Sequence, residues 1–276
     1  MQKLSALLIS GVIISTIACQ PKSKVADEKN NNESADTQEV VLSPAEIQGK
    51  EMLEKCLQAH GGLESWNAFE GLDYTLINNG NPVYQLTHLK DRRAYIKSED
   101  YEVGFDGKVA WATPDMSKLP GKSAAFYYNL DFYFIGIPFV LKDPGVSVTY
   151  EGKSTIDSLE YESIKVTFGS GVGLTPKDVY YLYIDPESNL LKILVYSISY
   201  FDKSETQTLG SAKVYSDYKP TQGLLMPGKM ENFVWEDGKL GASKNHLRVF
   251  EKIRFLKEIP DEKKFAAPEG AVMEEI

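Results

Sequence analysis

The chain has 276 residues, 42% hydrophobic and 11% aromatic, with 30 Lys and Arg against 39 Asp and Glu for a formal charge of −9. That apolar content is enough for a full core, and an acidic chain without clustered Lys and Arg does not suit a nucleic-acid partner. The two cysteines, Cys19 and Cys56, sit in such different settings that they give no disulfide framework.

Residues 1–18 read as an export signal. Lys3 supplies the positive start, and Leu4 to Ile17 form an apolar run too short for a comfortable membrane span. The run ends in Thr16-Ile17-Ala18-Cys19, which resembles a lipobox, with Thr16 where Leu is usual. Cys19 is the expected lipidation site. Residues 19–42 follow as a disordered tether, because Pro21, Lys22, Asp27, Glu28 and the asparagines after them cannot bury apolar surface to offset the entropy of ordering. Gln20 is not Asp, the residue that in the best-known sorting rule retains lipoproteins at the inner membrane. The expected location is therefore the outer membrane, facing the periplasm.

One domain is expected over 43–276. Ser43-Pro44-Ala45-Glu46 has capping-box spacing with Pro in the first turn, and Ile47, Met52, Leu53, Cys56 and Leu57 make the apolar face of a helix that stops at His60-Gly61-Gly62. Cys56 reads as a core thiol and His60 as a helix-end hydrogen-bonder. Leu63 to Phe69 suggest a second short helix with Trp66 inward.

From Leu72 the apolar period becomes two. Strands are expected at 72–77, 83–89 and 93–97, then a hairpin at 102–111 turning on Asp106-Gly107. The most apolar and aromatic stretch after the leader follows, and 123–137 reads as a helix ended by Pro138. Its apolar residues run nearly all the way round, so it must be covered on most sides. After Asp143-Pro144-Gly145 strands resume to Phe255, giving about ten or eleven in all. The expected architecture is mainly β: an incomplete antiparallel barrel with N-terminal helices and the central apolar helix as a lid.

Catalytic signals are weak. His60, His88 and His246 show no spacing typical of metal ligands, so neither a metal nor a cofactor is expected. Gly169-Ser170-Gly171-Val172-Gly173 follows a strand but leads into Leu174-Thr175-Pro176 rather than a helix, so it reads as a hairpin loop and not a phosphate cradle. The aromatic excess has two explanations, a thick core or a sheet curved around a cavity.

Leu57 to Asn67, with His60-Gly61-Gly62 and Trp66, resembles the opening of a family of bacterial lipoproteins without settled function, similar to the LolA/LolB-type lipoprotein carriers and outer-membrane lipoprotein-sorting proteins. Tyr127 to Leu130, Phe132 to Gly145, Asp217-Tyr218 and Gly223 to Pro227 resemble its later segments, so the likeness spans about residues 45–256. The resemblance implies a half-barrel with an apolar cavity for acyl chains and no catalytic residues. The expected function is a membrane-anchored protein that binds a lipid or other hydrophobic ligand, with Trp111, Phe126, Tyr127, Leu130, Phe134 and Ile137 lining the cavity. The alternatives are a filled barrel that meets an envelope protein partner, and an envelope hydrolase built on one of the histidines.

Overall fold

The computed structural model describes residues 41–169, 175–200 and 208–276. The leader, Cys19, nearly all of the tether and most of the glycine-rich loop at 169–173 lie outside the described residues.

Helix α1 spans Pro44–Ala59 and opens with the capping box expected: Glu46 N–H donates to Ser43 Oγ at 3.3 Å, and Ser43 N–H donates to Glu46 Oε2 at 2.7 Å. Leu53, Cys56 and Leu57 are buried, whereas Ile47 is 46% exposed and falls off the buried face. Helix α2 (Leu63–Asn67) buries Trp66.

Five strands follow as a meander: β1 (Gly71–Asn78), β2 (Asn81–His88), β3 (Ala94–Lys97), β4 (Glu102–Phe105) and β5 (Val109–Thr113). Asp106 fixes the β4–β5 hairpin by accepting from the Lys108 and Val109 amides through one carboxylate oxygen, both at 2.8 Å. The helical segment comes next. The expectation of one helix over 123–137 holds for position but not for continuity. The segment divides into α3 (Ala124–Tyr127) and α4 (Leu130–Gly136), with a 3₁₀ turn at Phe139–Lys142 after Pro138. The interruption at Tyr128-Asn129 leaves α3 free to place the Tyr127 hydroxyl 2.9 Å from that of Tyr101, while α4 turns Asp131 onto Arg248.

The second half contributes β6 (Val146–Ile156), β7 (Leu159–Phe168), β8 (Val179–Ile184), β9 (Leu191–Tyr196), β10 (Ser211–Ser216), the small pair β11 (Lys219–Thr221) and β12 (Leu224–Met226), β13 (Lys229–Glu236), β14 (Lys239–Leu256) and β15 (Val272–Glu275). Among the described residues the sheet has 13 strands in the order β15-β5-β4-β3-β2-β1-β14-β13-β10-β9-β8-β7-β6, and its neighbours pair antiparallel. It is an open sheet with edges at β15 and β6. The 18-residue β14 joins the two halves, since it pairs β1 on one side and β13 on the other.

Period-two alternation sends Leu72, Tyr74 and Leu76 to the inner face, with Leu182, Leu194, Tyr215 and Phe250 from the other half. The helices lie against this face, and Phe132, Ile135, Phe139 and Val140 join the same core. Each such fully buried side chain contributes about 1.5–3 kcal/mol relative to exposure. A smaller cluster of Ile156, Tyr161, Ile193, Val195, Ala212 and Trp235 occupies the opposite face. Tyr181 and Tyr183 pack against it while Tyr180 and Leu182 face the main core, so the aromatic run in β8 serves both faces.

Candidate functional site

A cavity of about 470 Å³ lies between the helical segment and the β7–β8 end of the sheet, and it reaches the surface at Ile198 and Ile276. Its size is within the range of small-molecule sites. One wall is helical, with Phe126, Leu130, Tyr133 and Phe134; the facing wall is Phe168 and Tyr180. The rings of Phe168 and Tyr180 meet edge-on at 5.1 Å, and Tyr133 meets both, at 6.4 and 6.2 Å. Such offset arrangements make a stiff aromatic lining.

Of the six residues expected to line a cavity, the structure brings Phe126, Leu130 and Phe134 together. Tyr127 and Ile137 are buried in the main core away from it. Trp111 is on the other side of the sheet. Its neighbours Ala110 and Ala112 face the main core, so Trp111, one position off, points the opposite way. There the indole N–H donates to the Phe265 carbonyl at 2.8 Å, and the ring lies so close over Gly104 that any Cβ there would come within 2.3 Å of it. Trp111 is the anchor for the C-terminal segment, not a cavity residue.

The cavity also has a polar side that the sequence pattern does not mark. Among the described residues Asp91, Asp143 and Asp178 line it with one cation, Arg92. Arg92 donates to both oxygens of Asp143, at 2.8 and 2.6 Å, and its guanidinium lies 5.1 Å above the Phe132 ring. Asp91 is held by Arg93 at 2.8 Å and by His88 at 2.9 Å. Asp178 is buried, accepts from the Ser199 amide at 2.7 Å, and is pushed above the ordinary carboxylate range by desolvation. Asn129 Oδ1 is buried with no hydrogen-bond partner among the described residues.

Beneath α4 lies a second, fully enclosed polar group. Arg248 Nε and Asp131 Oδ1 meet at 2.9 Å as an ion pair without the alignment of a directed hydrogen bond. Gln85 donates to Asp131 at 3.3 Å and accepts from the Tyr74 hydroxyl at 2.7 Å. Lys213 donates to Asn232 at 2.8 Å, and its ammonium lies 4.2 Å from the Phe134 ring centre. Burial first, and repulsion from Arg248 second, hold the Lys213 ammonium well below its usual pKa. The same two causes, in the same order, lower His246.

His60 and Trp66, six residues apart, meet Phe139 and Tyr218 from distant parts of the chain in one cluster. The His60 ring is edge-on to Tyr218 at 5.4 Å, and Trp66 stacks on Phe139 at 4.5 Å. His60 Nδ1 bonds to the Cys56 carbonyl at 2.7 Å in the last turn of α1, the helix-end role expected of it. Cys56 Sγ is 3.7 Å from the same nitrogen, but burial pushes the thiol up to about 12 and the imidazole down to about 4. Both are therefore neutral near pH 7, the reverse of an activated Cys–His pair. Among the described residues no group of three His, Cys, Asp or Glu could hold a metal ion, and no helix is long and apolar enough to cross a membrane.

Comparison with solved structures finds proteins of the same size class at low identity. A DUF1329 family protein from Desulfovibrio piger is 10% identical, with a TM-score of 0.49 over 79% of this chain and 97% of that one. A LolA superfamily protein from Nitrosomonas europaea is 11% identical, with a TM-score of 0.49 over the same shares. A domain assigned to outer-membrane lipoprotein sorting, from Vibrio parahaemolyticus, is 10% identical, with a TM-score of 0.42 over 77% of this chain and 97% of that one. Among curated proteins none matches the sequence. The segment from the start of β4, through α3 and α4, to the first residue of β11 matches a family model: residues 102–219 correspond to the family of unknown function DUF6503.

Proposed function

We propose that this chain is a lipid-anchored protein of the cell envelope that holds an acyl chain or a similarly apolar ligand, in the service of lipid or lipoprotein handling. The observation that carries the reading is the cavity itself. A segment as apolar as 123–141 would gain most by packing completely, yet Phe126, Leu130 and Phe134 border open space of about 470 Å³ faced by Phe168 and Tyr180. Each methylene buried there contributes about 0.8 kcal/mol, so a chain can be retained without any charged contact. The lipobox-like Thr16-Ile17-Ala18-Cys19 supports anchoring through Cys19, and Gln20 supports the outer membrane.

Mass spectrometry of an organic extract of the purified Cys19→Ala chain tests the reading, since no covalent lipid then contributes. A co-purifying lipid at near-stoichiometric amount, lost in a folded Leu130→Trp variant that fills the cavity, is the expected result. The competing reading, a filled sheet that meets a protein partner, has one observation in its favour: the ion pair and Lys213 already occupy the inner face beneath α4. A clean extract, with no uptake of added lipid, would put that reading first.

A further inference from the structure

The polar side of the cavity specifies the ligand's other end. Two of the three aspartates among its described residues are already matched by cations, Asp143 by Arg92 and Asp91 by Arg93. Asp178 is not: among the described residues no cation pairs with it, it is 4% exposed, and only neutral donors, from Thr175 and Ser199, reach its carboxylate. Arg92, the one cation among the described lining residues, has its guanidinium committed to Asp143 and to the Leu89 carbonyl. Asn129 adds a buried oxygen with no hydrogen-bond partner among the described residues. Among the described residues the lining therefore carries more negative than positive charge and no uncommitted cation, and its other polar groups, such as Asn129 and the Tyr133 and Tyr180 hydroxyls, are neutral. An anionic head brought here would lose its hydration and meet like charge, which costs far more at a buried site than at the surface.

We infer that the cavity selects a single-chain amphiphile whose polar end is a neutral or cationic hydrogen-bond donor, seated toward Asp178 and Asn129, and rejects chains ending in a free carboxylate. The inference rests on the acyl-cavity reading above and deepens it from any apolar ligand to a class of head group. Its chemistry covers both an ammonium and a hydroxyl terminus.

The test is isothermal titration of the full Cys19→Ala chain with three probes of equal chain length: dodecylammonium, dodecanol and dodecanoate, each below its aggregation concentration at pH 7.5. The ammonium and the alcohol should each bind about tenfold or more tightly than dodecanoate, a difference of about 1.4 kcal/mol or more. Asp178→Asn should bring the ammonium and the alcohol level with each other, because it removes the charge and keeps the shape. The wild-type ratio decides the matter even where that variant fails to fold. Dodecanoate binding as tightly as the other two would overturn the head-group assignment while leaving the acyl cavity standing, provided Leu130→Trp weakens all three alike. Failure of every probe to bind would overturn both.

Discussion

Arg248 of β14 and Asp131 of α4 meet at 2.9 Å with side chains 7% and 1% exposed, which ties the central helical segment to the strand joining the two halves of the sheet. A buried pair of this kind stabilises little over an apolar replacement, but breaking it leaves an uncompensated charge. Arg248→Met or Asp131→Asn alone should each lower unfolding free energy by about 3–5 kcal/mol. Asp131→Asn should be the worse, because it leaves the permanently charged Arg248 buried beside Lys213 without its anion. The double variant Asp131→Asn with Arg248→Met should recover much of the loss, because neither charge is then left alone. Urea titration of the four proteins reads this directly; additive losses would show that the two residues act independently.

His60 gives a pH signature. Burial lowers its pKa from 6.5 to about 4. The unfolded chain therefore binds a proton near pH 6.5 that the folded chain refuses until about pH 4. Between those values the unfolded state holds more protons, so stability must fall as the pH falls, and the full loss is about 3 kcal/mol. His60→Gln removes this contribution. The difference in stability between wild type and variant should shrink as the pH drops from 7 to 4, and a constant difference across that range would contradict the buried neutral imidazole.

Much of this was legible in the sequence, and the limits have physical causes. The capping box at Ser43, the Asp106 hairpin and the period-two strands are local patterns, and each appears where local physics places it. Strand β15 is not local. Val272 to Glu275 becomes a strand by pairing β5, and Glu274 earns its place by accepting from Ser123 Oγ at 2.9 Å and the Ala125 amide at 3.0 Å at the start of α3. The face taken by Trp111 turned on the parity of a single strand, and the missing side chain at Gly104 is what makes room for the ring. Asp131 with Arg248, and Asp178 beside the cavity, depend on pairings between distant segments that no spacing along the chain encodes.

Gly61 is held by contact as well as by backbone. It has φ +107°, and a Cβ there would come within 2.4 Å of the Gly223 carbonyl oxygen, just where the Leu225 amide donates to the His60 carbonyl at 2.9 Å. Gly80 has a similar φ of +89° in the β1–β2 turn, with nothing within 4 Å of its would-be Cβ. Gly80→Ala should therefore cost only the backbone strain, about 1 kcal/mol. Gly61→Ala should cost clearly more, because the β11–β12 hairpin must also move. Thermal melts of the two variants side by side separate strain from collision; equal shifts would mean that the α1 terminus and the hairpin are not packed together.

Trp111 and Leu130 separate stability from binding. Trp111 has its indole N–H on the Phe265 carbonyl, on the face of the sheet away from the cavity. Trp111→Phe removes one buried hydrogen bond and opens space over Gly104, so it should cost about 1–3 kcal/mol. It should also loosen the segment from Phe265 to β15, seen as faster amide exchange there, while dodecylammonium binding stays within about twofold of wild type, a change of under 0.5 kcal/mol. Leu130 is half-buried on the cavity wall and outside the ion-pair group. Leu130→Trp should leave the melting temperature nearly unchanged and abolish binding, because the added ring occupies the volume a chain would take. If Trp111→Phe weakened binding as much as Leu130→Trp, the ligand would have to sit on the other face of the sheet, and the cavity beside α4 would lose its assignment.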